Sequence, residues 1–63
     1  MMTRKDYVET AKILAESRES LLSLGLEGEQ LFNNLVADFA EMFLKDNDRF
    51  QWGIFEDACW GDN

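Results

Sequence analysis

Histidine and proline are absent from this chain, and cysteine occurs once, at Cys59. Without histidine there is no side chain whose ordinary pKa suits proton transfer near neutral pH. A single thiol makes neither a Cys–His pair nor an internal disulfide, and the two shortages together leave no nitrogen and sulfur set for zinc. Bases are also scarce, six Lys and Arg against thirteen Asp and Glu, for a net charge of -7. No apolar run approaches the roughly 20 residues that cross a bilayer, and no signal-type segment follows Arg4-Lys5, so neither export nor anchoring is expected. The unpaired thiol fits a reducing cytoplasm.

With 63 residues the chain is read as one domain over 1–63, too short to enclose a deep cleft around carboxylate pairs such as Glu56–Asp57 or Glu27–Glu29. Catalysis is therefore not expected, and no cofactor is implied. A domain this small buries only about 60% of its unfolded surface, which favours oligomerisation as a source of stability.

What the chain does have is helix-forming sequence, and the expected class is all-α: an antiparallel helical hairpin with a short third helix, over about 4–24, 28–46 and 52–60. Thr3-Arg4-Lys5-Asp6 has the form of an N-terminal cap. Tyr7, Ala11, Leu14, Leu21 and Leu22 then share one stripe at about 100° per residue, with Val8 and Ala15 on its flank. Ile13 and Leu24 fall on another side and are candidates for self-association. Gly25 is expected to close the first helix in the left-handed conformation, with Leu26 folding back on the last turn.

The second helix carries Leu31, Phe32, Leu35, Val36, Phe39, Met42 and Phe43 in a stripe about 140° wide, more than one neighbouring helix needs. Asp46-Asn47-Asp48 prefers a turn, and Gln51 stands where glycine is required for a calcium loop, so no metal site is read there. Phe50 and Phe55 flank Gln51 at the spacing of a hydrophobic staple. Ile54, Phe55, Ala58 and Cys59 share a face of the third helix, Cys59 reads as a buried core thiol, and Gly61, Asp62 and Asn63 are expected to fray.

Thr3-Arg4-Lys5-Asp6-Tyr7 at the start, with Asp46-Asn47, Arg49-Phe50, Phe55 and Ala58-Cys59 at the end, resembles a group of short bacteriophage-encoded helical proteins. The resemblance implies a small phage protein in the cytoplasm of an infected bacterium, with no assigned activity. This chain departs from the group at Asp48 in place of proline, at Gln51 in place of aspartate, and in having Trp52 and Trp60.

Charge narrows the functional classes. Residues 1–26 hold four acids and four bases, whereas residues 27–63 hold nine acids and only Lys45 and Arg49. Arg4, Lys5, Lys12 and Arg18 read as surface bases balanced by nearby acids, as in the Lys12–Glu16 spacing. The third helix has no base at all, which excludes it as a DNA-recognition helix. Two readings remain. One is a host-interaction protein that binds a host or phage protein through Trp52, Glu56, Asp57 and Trp60, tryptophan being enriched among residues that dominate binding energy. The other is an inhibitor that mimics DNA, with Glu27, Glu29, Asp38, Glu41, Asp46 and Asp48 as the phosphate-like acids.

Overall fold

The computed structural model describes residues 3–61. Among them are three helices and no strand: α1 over Arg4–Leu22, α2 over Leu26–Asp46 and α3 over Trp52–Trp60, each touching the other two. No helix among the described residues is long and apolar enough to cross a membrane.

Helix α1 starts where Thr3-Arg4-Lys5-Asp6 predicts. The Thr3 amide donates to Asp6 Oδ2 at 2.9 Å and the Thr3 hydroxyl to the same oxygen at 3.3 Å. The carboxylate thus takes up a backbone donor that the first turn leaves free and sits at the positive end of the helix. The other end differs from expectation. Helix α1 stops at Leu22 with Ser23 as its C-cap, and Gly25, at φ 87°, is the N-cap of α2. Gly25 does use its freedom at positive φ, but to open the second helix. Leu26 is accordingly the first residue of α2 and is exposed, not folded back on α1.

At the connection, Gly28 of α2 lies directly against the Leu21 carbonyl of α1. At the opposite end, Tyr7 near the start of α1 packs at a tilt on Phe43 near the end of α2, ring centroids 4.8 Å apart. The core comprises Ala11 and Leu14 of α1, Phe32, Val36, Ala40 and Phe43 of α2, Phe50 of the turn, and Phe55 and Cys59 of α3. Ala40 and Gly28 were not read as core positions, and both are buried. Small residues there let the helices approach closely.

After α2, Asn47 forms a turn. Its Oδ1 accepts the Arg49 amide at 3.0 Å and its carbonyl accepts the Phe50 amide at 3.0 Å, a side-chain mimic of a backbone turn. Phe50 and Phe55 meet at 5.5 Å across the start of α3, as the staple predicts.

The far end of α3 is held by a contact between residues distant in sequence. Arg18 Nη1 donates to the Trp60 carbonyl, and Gly61 closes the helix at φ 80° beside the same guanidinium. A cation at the negative end of a helix dipole is stabilising. Arg18 therefore serves as a cap and not as a surface base paired within α1, and the expected Lys12–Glu16 pair is not found among the described residues. Gly61, expected to fray, is instead this cap, while Asp62 and Asn63 lie outside the described residues.

Candidate functional site

Trp52, Glu56 and Trp60 recur every four residues and so share one side of α3, all three half-buried. Both tryptophans lean on the core, and the Trp60 ring meets Phe32 edge-on at 4.8 Å, 81° between planes. Much of the indole surface that would anchor a partner is thus engaged in sealing the fold. Asp57 is one residue, or about 100°, further round the helix and exposed.

Glu56 also acts inward. Cys59 is buried, and burial first, with the nearby Glu56 charge second, pushes its thiol from 9.0 up to about 11. A thiolate is disfavoured in apolar surroundings and beside an anion. Above pH 9 the unfolded chain releases this proton while the native one holds it to about 11, so the thiol lowers stability as pH rises through that window and has no effect below it. We expect Cys59→Ala to lose less stability than the parent between those limits in urea titrations. Parallel losses would contradict the assignment.

The six acids proposed as phosphate-like are all exposed but do not form one file. Glu27, Asp38 and Glu41 share a side of α2 by helical spacing, and Lys45 stands among them, 3.3 Å from Glu41. Glu29 is on the far side of the helix, Asp46 ends it and Asp48 lies in the turn.

Ile13 and Leu24 are both exposed, but α1 ends at Leu22, so Leu24 lies in the turn and not on the side of the helix it was expected to share with Ile13. A larger apolar surface lies on α2. Leu31, Leu35 and Met42 are 54%, 41% and 48% exposed, and their spacing puts them within roughly 40° of one another. Gly28, three residues before Leu31, touches Leu21 and Leu24, so this row borders the end of α1. These three belong to the stripe that was too wide for one neighbour. Its core half is Phe32, Val36 and Phe43, and the other half is bare.

A concavity lies between the N-terminal halves of α1 and α3. It has a volume of about 380 Å³ and is bordered by Arg4, Tyr7, Val8, Arg49, Ile54 and Phe55 among others. No group of His, Cys, Asp and Glu among the described residues is arranged to hold a metal ion.

Comparison with known proteins finds no matching family model, curated protein or solved structure.

Proposed function

We propose that this chain is a small acidic accessory protein of the bacteriophage type, working in the cytoplasm of an infected bacterium by binding another protein. In this reading it is an antiparallel helical hairpin crossed by a short third helix. The observation that carries the proposal is the bare row Leu31, Leu35 and Met42 on α2, bordered by Glu27, Asp38 and Glu41. Apolar side chains at the centre with charge at the rim are the anatomy of a docking face. The partner it fits is a basic amphipathic segment whose apolar side covers the row and whose Lys and Arg meet the acids.

This moves the main contact from α3 to α2. Trp52 and Trp60 have less surface to offer, and Glu56 and Asp57 serve as further charge for steering. Mimicry of DNA has weaker support, since Lys45 interrupts the acids of α2 and Glu29 points elsewhere.

The test is capture of a bacterial protein by the parent chain, by Leu35→Ser/Met42→Ser and by Glu56→Gln/Asp57→Asn, at low and high salt. The expected result is loss of the partner with the α2 variant, retention with the α3 variant and weaker capture at high salt. Equal capture by the α2 variant and the parent would refute the proposal. Sedimentation of the free chain at twice 7.3 kDa, abolished by the α2 variant, would make a second copy the occupant of the row instead.

A further inference from the structure

We infer that the concavity between the N-terminal halves of α1 and α3 binds a small monocarboxylate with an aliphatic body. Charge is the first argument. The chain has only six bases against thirteen acids, yet two of the six, Arg4 and Arg49, border this one concavity and no Asp or Glu does. They come from opposite ends of the sequence and are brought together by the packing of α3 on α1. Both are exposed and neither forms an ion pair among the described residues. A guanidinium offers a planar fork of donors that matches a carboxylate, and two of them define where an anionic group settles.

The rest of the surface sets the body of the ligand. Val8 and Ile54 are exposed aliphatic side chains on facing helices, and Ala11, Phe55 and Ala58 lie between them. Asn47 spends its Oδ1 on the Arg49 amide, which leaves its NH2 as another donor beside the arginines. A volume near 380 Å³ falls within the range of about 300 to 1,000 Å³ for small-ligand pockets.

The inference is independent of the proposed docking face on α2, and the probes separate the two. Sodium octanoate, 1-octanol and octylamine share an aliphatic chain and differ in charge. Titrated into the full chain and followed by amide NMR shifts, octanoate is expected to saturate with the largest changes at Val8, Arg49 and Ile54. Octanol and octylamine should bind at least about tenfold more weakly, the scale of one charge-assisted contact. Arg4→Gln and Arg49→Gln, at exposed positions that leave the core intact, should each weaken octanoate several-fold and leave octanol unchanged. Three results would overturn the inference: equal binding of octanoate and octanol, parent-like octanoate binding by both arginine variants, or shifts centred on Leu31, Leu35 and Met42.

Discussion

Phe43→Ala is expected to remove about half or more of the stability of this protein. The ring is fully buried and meets four others, Tyr7 at 4.8 Å, Phe55 at 5.4 Å, Phe50 at 5.5 Å and Phe39 at 6.1 Å. It is where α1, α2, the turn and α3 converge, so no single element can move in to fill the space. Truncating a buried phenylalanine costs about 3 to 5 kcal/mol. A domain of this length has a total stability of roughly 3 to 9 kcal/mol. Phe39→Ala is the informative control, because Phe39 is half-buried at the edge of the same cluster and should cost clearly less. Urea unfolding followed by circular dichroism measures both. Equal losses would mean that the convergence of rings around Phe43 is not what holds the three helices together.

The second large effect concerns a single methyl group. Gly28→Ala places a Cβ 2.8 Å from the Leu21 carbonyl carbon, closer still to its oxygen, and 3.0 Å from Leu24 Cβ. The obstacle is backbone, which cannot rotate away, so α1 and α2 must separate at the connection. In an open helix the same change would stabilise by up to about 1 kcal/mol. Here we expect a net loss of about 2 kcal/mol, the middle of the range for overfilling a packed contact. Gly53→Ala provides the opposite sign, since a Cβ at Gly53 on α3 meets nothing within 4 Å. If both substitutions stabilise, the helices do not approach at Gly28 as described.

Local signals in the sequence carried over well. The Thr3–Asp6 cap, the Asn47 turn and the Phe50–Phe55 staple are formed by residues at most five apart, and their chemistry is visible in any short window. The centres of the helices followed from periodicity for the same reason. What did not carry over depends on partners distant in sequence. Gly25 can close one helix or open the next, and the close approach of Gly28 to Leu21, which accompanies the second choice, is not visible in a short window. Likewise, a stripe of seven apolar residues on α2 does not say which edge the neighbours cover. Arg18 could not be assigned to α3 from its own surroundings, because its acceptor is 42 positions away. The pairing of Arg4 with Arg49 on one border was hidden in the same way.

Helix α3 has only nine residues, too few to persist alone in water. It is pinned at its start by Phe50 against Phe55 and at its end by the Arg18 guanidinium on the Trp60 carbonyl. It also supplies Phe55 and Cys59 to the core that α1 and α2 share. During synthesis the first two helices therefore emerge with Phe32 and Phe43 uncovered. The turn and α3, residues 50–60, act as the closing latch of the fold, the last contributors in chain order to the core they share with α1 and α2.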